Sequence, residues 1–358
     1  MLRIHDALTG RTGELAPGRA VRLHTCAPVS AELPGHLGDL RPHVLSDVIR
    51  RLLESRRVRV VACRGPLPGG DPAVSEAFRE VAGALNLRPP EHEPPADETA
   101  ETAVELIAGL VERGRAHAVA DGSVLLGAAP APAASPAASG AGAATFAASS
   151  AADDGRVLWA AASGEEPAWD SPWGRGVPAP GVRCQAAARR SLGPRVDVLV
   201  AGADTPPQRG EPLLAAGHVV GCGPVRFDGA ALSLRQVTEA GLDPLAVRLA
   251  YLEHHYREPV RLTWDLLRDA DRTVRHWRAR VAGWAESPSA PLASGHVRCV
   301  EAALDGDLDT PAALGALRDL EGDDSVPAGA KFESFLHLDQ VLALDLSTEI
   351  GRTPVPVP

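Results

Sequence analysis

Apolar residues recur along the chain in two different spacings, which together predict alternating helices and strands. From residue 42 to residue 55 they follow a 3.6-residue repeat through Val44, Val48, Ile49 and Leu52, which predicts an amphipathic helix. Short unbroken apolar runs at residues 58–63 and 196–201 predict buried strands instead. Strands of this kind separated by helices are typical of an α/β sheet that is mainly parallel.

The same helical spacing returns in residues 76–87 and 98–113, and the pattern becomes wholly helical after Asp243. Two apolar stripes in this last region predict that a helical bundle closes the chain, and they comprise Leu245, Leu249, Leu252 and Tyr256, then Trp264, Leu267, Val274 and Val281. Residues 128–152 are almost entirely Ala, Pro, Ser and Gly. Such a segment cannot bury enough apolar surface to offset its ordering entropy, so we expect a disordered insertion there.

Composition narrows the class of protein. A chain of 358 residues exceeds one ordinary domain, so two structural units are expected. The N-terminus lacks an apolar core of signal-peptide length, and no run approaches the roughly 18 apolar residues of a membrane span, which predicts a cytoplasmic protein without a membrane partner. Scattered cysteines, odd in number, predict reduced thiols; they are Cys26, Cys63, Cys184, Cys222 and Cys299. A net charge of −10 gives no support for RNA binding.

Three stretches of sequence resemble the cysteinyl-tRNA synthetase family. They are the Trp- and Pro-rich residues 165–176 followed by Cys184, the stretch Leu-His-Thr-Cys-Ala-Pro around Cys26, and residues 35–39, Gly-His-Leu-Gly-Asp. The resemblance extends from about residue 2 to residue 346. It implies the class I plan, a Rossmann-like parallel-sheet domain followed by a C-terminal helical bundle. We place these units at residues 1–240 and 241–346, with a tail at residues 347–358.

The resemblance implies a nucleotide site built from Gly35, His36 and Gly38. A helix N-terminus offers free N–H groups and a positive dipole end, and glycine lets a phosphate approach the backbone. Asp39 stands where the family has a second histidine, and an anion beside triphosphate has the wrong sign; the alternative is that Asp39 merely favours the helix start. On the ribose side, residues 201–204 resemble the family's Gly-Gly-Ile-Asp and place Gly202 and Asp204 at a strand end.

The resemblance also implies a zinc site that selects a substrate thiol. The family uses two cysteines, a histidine and a glutamate, and Cys26 and Cys184 match by context. The stretch that carries the other two ligands is reduced to residues 206–211, which leaves Glu211 as the remaining oxygen ligand. Two thiolates and one carboxylate are few for a tetrahedral site. We therefore expect buried cysteines with zinc absent or weakly held.

The lysine-bearing loop of the family has no counterpart. Residues 225–229 resemble the approach to that loop, but the chain passes directly to Ala230, and Lys331 is the only lysine among 36 basic residues. Such lysines stabilise departing pyrophosphate, and each electrostatic contact of this type is worth about 3 kcal/mol. Arg226 and Arg235 are either replacement cations or solvated surface residues.

Two functions follow as hypotheses. In the first, the protein is a tRNA-independent ligase that uses ATP to form an aminoacyl adenylate and transfers it to an amine, as the related cysteine ligase of mycothiol biosynthesis does. Because only about a dozen residues follow residue 346, we expect this chain, like that ligase, to lack the family's anticodon-reading extension. In the second, the fold is retained without turnover as a module that binds a nucleotide or a protein partner. We expect an adenine nucleotide and a small amino-acid-like substrate in the first case, and no aminoacylation of tRNA in either.

Overall fold

The computed structural model describes residues 1–16, 18–27, 35–66, 72–127, 157–164, 168–202 and 214–352. Its twelve strands are β1 Arg3–Asp6, β2 Arg11–Glu14, β3 Val21–Cys26, β4 Val60–Arg64, β5 Ala116–Ala118, β6 Val124–Leu126, β7 Val157–Ala161, β8 Gly176–Pro178, β9 Arg195–Ala201, β10 Ala215–Gly221, β11 Val225–Phe227 and β12 Val260–Leu262, counted within those ranges. The helices there are α1 Leu37–Ser55, α2 Pro72–Ala84, α3 Ala96–Glu112, α4 Pro180–Leu192, α5 Leu234–Glu239, α6 Leu245–Leu252, α7 Trp264–Trp284, α8 Ser294–Asp305, α9 Thr310–Gly322 and α10 Ala328–Leu342.

A four-stranded parallel sheet in the order β10-β9-β3-β4 forms the centre of the fold. The sheet lies between α1 and α4, since both helices pack against β3, β4 and β9. The apolar runs that predicted strands are β4 and β9, and the predicted mainly parallel sheet is confirmed. Because β3 pairs with β4 on one side and with β9 on the other, the chain changes direction across the sheet at β3, which is where open α/β sheets bind ligands.

A second four-stranded sheet, β5-β6-β7-β8, is antiparallel throughout and has no counterpart in the sequence-based interpretation. Its strands have three to five residues, too few for their alternation to stand out from the surrounding sequence. The buried Trp159 and Val182 join this sheet to α3 and α4 in one apolar cluster. The sheet therefore supports the helix that carries Cys184.

The region after Asp243 is mainly helical, but the expectation that it is wholly helical is wrong. Residues 260–262 form β12, which pairs in parallel with β11 far back in the chain, and such a long-range pairing leaves no local periodic signal. Tyr256 also lies beyond the end of α6 rather than on it, although its side chain is buried as its apolar stripe predicted. Its hydroxyl donates to Asp307 Oδ1 at 2.6 Å.

A buried arginine connects α1 to the helical part of the chain. Arg248 is fully buried and donates to Asp47 Oδ2 at 2.7 Å, to the Leu342 carbonyl at 2.7 Å and to the Leu85 carbonyl at 3.1 Å. A buried guanidinium needs such partners because its desolvation is otherwise unfavourable by several kcal/mol. This network places α1 firmly against α2, α6 and α10, so the start of α1 has a rigid support.

The predicted division into residues 1–240 and 241–346 stays a prediction, as does the tail at residues 347–358. One cluster of buried hydrophobic residues runs from Leu2 to Leu346 and includes members from both predicted units. The predicted insertion at residues 128–152 lies outside the described residues. Within the described part of the chain, no helix is long and apolar enough to cross a membrane.

Candidate active site and buried donor cluster

The predicted nucleotide and metal residues that the structure describes gather at the carboxyl edge of the central sheet. Strand β3 ends at Cys26, strand β9 ends at Ala201, and the Gly202 amide donates to the Cys26 carbonyl at 3.3 Å. Helix α1 returns from this edge, since it connects the parallel strands β3 and β4. The sheet topology therefore brings Gly202, Cys26 and the start of α1 to the same edge.

The turn that starts α1 depends on glycine. Gly35 has φ +81°, a left-handed conformation that favours glycine, and a Cβ there would lie 2.8 Å from Val81 Cγ2. The segment from residue 232 to residue 234 holds this turn from outside: the Leu37 amide donates to the Leu232 carbonyl at 2.9 Å, and the Leu234 amide donates to the Gly35 carbonyl at 2.9 Å. Two separate parts of the chain thus position the predicted phosphate-binding turn.

His36 folds back over the first turn of α1. Its Nδ1 lies 3.2 Å from Asp39 Oδ1, and a Cβ on Gly38 would lie 2.6 Å from the ring. Phe227 covers the ring at a centroid distance of 5.5 Å. Gly38 is thus required for the position of this ring. The carboxylate of Asp39 interacts favourably with the positive end of the helix dipole and also pairs with the His36 ring.

The two arginines considered as replacement cations have exposed side chains. Arg235 is 85 % exposed and pairs with Glu239, one helical turn later on α5, at 2.7 Å. Arg226 lies exposed on β11. An exposed pair at this spacing contributes only a few tenths of a kcal/mol and screens the cation that it contains. Neither arginine is therefore held in a geometry that replaces the missing lysines.

A buried cluster of nitrogen and sulfur donors lies behind the edge. One donor atom each from His24, Cys26 and Cys184 lies within 4.8 Å of the other two, and all three side chains are buried. His24 Nε2 is 3.2 Å from Cys184 Sγ, and His24 Nδ1 is 3.0 Å from the Cys63 carbonyl. Two thiolates and one imidazole form a donor set that fits a zinc ion, with one coordination position left for a further ligand.

Elements on both sides of the cluster position these donors. His24 and Cys26 are two residues apart on β3, so their side chains point to the same face of the sheet. Cys184 reaches that face from α4, which begins with Pro180 in the first turn where its missing N–H is no loss. Gly65 lets Cys184 fit, because a Cβ on Gly65 would lie 2.5 Å from the Cys184 sulfur.

The cluster has its own electrostatics. A hydrogen bond from Cys184 lowers the pKa of Cys26 to about 6 against the opposing effect of burial, and His24 assists. Burial lowers the pKa of His24, but hydrogen bonds to Cys26 and Cys63 outweigh it and raise the pKa to about 9. Burial and the neighbouring Cys26 both raise the pKa of Cys184. The metal-free cluster thus stabilises a thiolate beside an imidazolium, which marks Cys26 as the most readily ionised ligand.

Of the predicted site residues, the structure brings Cys26 and Cys184 together and places Gly35, His36, Gly38 and Gly202 at one edge. Asp204 and Glu211 lie outside the described residues. His24 was missed, because no strand was predicted at β3 and a spacing of two from Cys26 is no signal without one. The expectation of weak zinc binding counted two thiolates and Glu211, and His24 adds a donor that this count omitted.

The Trp-rich segment before Cys184 packs away from the cluster. Trp173 meets the buried Trp159 at a centroid distance of 6.1 Å, and the Trp169 Nε1–H donates to Asp97 at 3.2 Å. The Ala179 amide then donates to the Leu158 carbonyl at 2.9 Å, which sets the start of α4. The segment therefore positions Cys184 through the small antiparallel sheet. Residues 165–167 of this segment lie outside the described part.

The sequence is similar to those of a class I synthetase family and of related ligases. Residues 72–207 match the family model of the class I (C) tRNA synthetase catalytic domain. A cysteine–tRNA ligase of Opitutus terrae is 30% identical, with 88% of this chain and 80% of the relative covered. An L-cysteine:1D-myo-inositol 2-amino-2-deoxy-alpha-D-glucopyranoside ligase of Thermobispora bispora is 29% identical, with 92% of each chain covered.

Solved structures show the same fold at lower identity. Mycobacterium tuberculosis methionyl-tRNA synthetase bound by methionyl-adenylate is 13% identical, with a TM-score of 0.54 over 90% of this chain and 92% of that chain. A structure described as a putative arginyl-tRNA synthetase of Campylobacter jejuni is 12% identical, with a TM-score of 0.51 over 93% of this chain and 92% of that one. The class I synthetase fold predicted from the sequence is confirmed.

Proposed function

The chain belongs to the cysteinyl-tRNA synthetase family, and from that premise we propose that it is a tRNA-independent ligase. It would use ATP to activate a small thiol-bearing amino acid as an adenylate and pass the aminoacyl group to an amine. The observation that carries the proposal is the buried set of donors from His24, Cys26 and Cys184 beside the carboxyl edge of the sheet. A zinc ion on three protein donors keeps a fourth position, which suits the thiolate of a substrate amino acid.

The relatives narrow the substrates of this proposal. The Opitutus protein is named for cysteine and tRNA, and the Thermobispora protein for L-cysteine and an amino sugar. L-Cysteine is the amino acid common to both names. A net charge of −10 gives no support for binding a polyanion and so favours a small amine over tRNA as the acceptor. We therefore propose L-cysteine as donor and an amino sugar as the acceptor class.

The chain's own residues suggest a division of work. The Gly35 turn and the N–H groups that begin α1 would face the phosphates of ATP, and Gly202 at the end of β9 would approach the ribose. A zinc ion, when bound, supplies a Lewis acid that binds the thiolate of the amino acid. His24, Cys26 and Cys184 would hold that ion, and Gly65 keeps room for the sulfur of Cys184.

Pyrophosphate exchange tests the proposal directly. We expect exchange of labelled pyrophosphate into ATP that depends on L-cysteine and is absent with L-serine, which replaces the thiol by a hydroxyl. Exchange that serine supports equally well would contradict thiol selection. Exchange should be slower than in a lysine-bearing synthetase by a factor of about 1,000. Two lysines and the second histidine would together contribute roughly 8–10 kcal/mol if additive, and half of that loss has this effect.

Charging of tRNA tests the acceptor. We expect no aminoacylation of total tRNA above background with any amino acid, under conditions in which a genuine cysteinyl-tRNA synthetase charges its tRNA. An adenylate-dependent product with glucosamine would support an amino-sugar acceptor. Charging of a cysteine tRNA would overturn the tRNA-independent part of the proposal and leave the adenylate step intact.

A second function is favoured by one specific observation. Asp39 occupies His36, and the two nearby arginines are exposed, which weakens phosphate handling. A nucleotide-binding or protein-interaction module without turnover would not need cationic contacts to the phosphates of ATP. Nucleotide binding without exchange would select this alternative, whereas absence of binding to any adenine nucleotide would leave only the interaction module.

A further inference from the structure

We propose that this chain holds one zinc ion through Cys26, Cys184 and His24, with His24 as a ligand supplied by the same strand as Cys26. The inference rests on the proposed function for the identity of the metal and deepens it, because it assigns His24 of β3 as the third protein ligand. The resemblance to the family places the nitrogen and oxygen ligands after β9, in a stretch that is shortened here. A histidine on β3 replaces a ligand of that stretch from another element.

The hydrogen bond of the His24 ring determines which nitrogen faces the metal. A carbonyl oxygen can only accept, so Nδ1 carries the hydrogen that is donated to the Cys63 carbonyl at 3.0 Å. The other nitrogen, Nε2, faces Cys184 Sγ at 3.2 Å. A second hydrogen bond of this kind orients nearly every zinc-binding histidine and fixes its tautomer. The Cys63 backbone thus supplies the outer contact that a histidine ligand needs.

The separations suit one ion. A nitrogen and a sulfur on the same tetrahedral zinc lie about 3.5 Å apart, given bond lengths of about 2.1 and 2.3 Å. The observed 3.2 Å between Nε2 and Cys184 Sγ requires only a small adjustment. All three side chains are buried, with His24 completely so. Burial removes competing water. Polar donors in an apolar cluster are unfavourable unless they are paired or coordinate a metal, and a shared ion satisfies all three.

Two other buried cysteines provide matched controls. Cys63 belongs to the same buried cluster and both its thiol and its backbone carbonyl interact with His24, but its sulfur is outside the group of three donors. Cys222 is buried in the main core, away from that cluster. Changing either cysteine to serine removes a buried thiol and leaves the proposed ligands in place.

The test is metal content and cobalt binding of the full chain. Protein purified without chelator is analysed for zinc, and apoprotein is titrated with Co²⁺ while the thiolate-to-cobalt absorption is recorded. We expect close to one zinc per chain for the wild type, Cys63→Ser and Cys222→Ser. His24→Ala, His24→Gln and Cys184→Ser should each bind Co²⁺ roughly 100-fold more weakly or worse, given that even outer-shell changes weaken metal binding by about 10–100-fold.

His24→Gln guards against misfolding, because glutamine is similar in size to histidine and can still donate to the Cys63 carbonyl; circular dichroism confirms that each variant is folded. The proposal is overturned if the wild type binds neither zinc nor Co²⁺. It is also overturned if folded His24→Gln keeps the wild-type Co²⁺ affinity, or if Cys222→Ser loses it as Cys184→Ser does. The measurement uses no ATP or amino acid, so its failure is distinguishable from failure of pyrophosphate exchange.

Discussion

The donor cluster and the α1 turn lie at one edge of one sheet, but they differ in what their side chains can do. In the cluster, His24, Cys26 and Cys184 converge in a buried space and keep the chemistry of a metal site. In the turn, the backbone retains its glycines, but Asp39 engages His36. The two regions depend on separate elements and on different forces: the cluster on side chains from β3 and α4, and the turn on the backbone at the start of α1.

Of the changes considered, removal of the metal should have the largest effect on the free energy of unfolding. With zinc present at 100 times its dissociation constant, chelation should lower the free energy of unfolding of the wild type by about 3 kcal/mol, since ligand binding to the folded state stabilises by that amount. Urea unfolding at pH 7.5 with and without chelator measures the difference. His24→Gln should be insensitive to chelator, and an equal response in both proteins would refute a metal at His24.

Crowding of the cluster should have the next largest effect. Gly65→Ala places a methyl group 2.5 Å from the Cys184 sulfur, and overpacking of this kind typically destabilises by about 1–3 kcal/mol. Gly83→Ala is the matched control, because a Cβ on Gly83 in α2 meets nothing within 4 Å and alanine favours the helix. The midpoint of thermal unfolding should fall in Gly65→Ala and should stay the same or rise in Gly83→Ala. Gly65→Ala without loss of stability or of Co²⁺ affinity would show that the cluster is loosely packed.

Nucleotide affinity tests the turn that starts α1. We expect AMP and ATP–Mg to bind the wild type within tenfold of each other, or about 1.4 kcal/mol, because a carboxylate lies at the phosphate end. Asp39→His removes that anion and should shift the preference toward ATP by about tenfold. Isothermal titration measures both constants. Asp265→His is the control, since Asp265 is an exposed carboxylate in the first turn of α7. A wild type that already prefers ATP by more than tenfold would contradict this expectation and show that other groups bind the phosphates.

The pH dependence of stability tests the packing of α1, with the smallest effect. Burial, assisted by Arg64, lowers the pKa of His43 to about 3, and its Nε2 has no hydrogen-bond partner among the described residues. Between pH 3 and the unfolded pKa of about 6.5, the unfolded chain binds a proton that the folded chain excludes, so stability falls as pH falls below about 6.5.

From pH 7 to pH 5.5, His43 alone should contribute a loss of about 1 kcal/mol in the free energy of unfolding. His43→Gln should remove this part of the pH dependence, whereas His276→Gln, which changes a histidine that is 57% exposed, should leave it. Chemical denaturation at both pH values measures the difference. Equal pH profiles for His43→Gln and the wild type would show that water reaches this side of α1.

The elements with strong local signals could be predicted from the sequence alone. Helices α1, α2 and α3 and strands β4 and β9 were predicted within a few residues, because apolar spacing reports burial directly. The start of α1 was predicted at Pro42, five residues after its true start at Leu37. Proline inside a helix suggests a boundary, and contacts from residues 232–234 hold the first turn in a way that local sequence cannot reveal.

Long-range pairing accounts for what the sequence could not supply. Strand β12 needs β11 beside it, and the antiparallel sheet β5-β6-β7-β8 needs strands from both sides of residues 128–156. The donor cluster is similar, because His24 and Cys184 are 160 residues apart in the chain. A histidine two residues before a cysteine has little meaning until α4 brings a second sulfur to it.

The sequence by itself determined the α/β class, the family and the chemistry that is missing, since a lysine absent from the chain cannot be restored by folding. The tertiary structure decided which of the remaining groups act together. It brought His24 to Cys184 and the Gly202 amide to the Cys26 carbonyl, and the members of each pair are far apart in the chain. The physical reason is that the chemistry of a site depends on distances of a few ångströms between side chains, and those distances follow from packing across the sheet rather than from spacing along the chain.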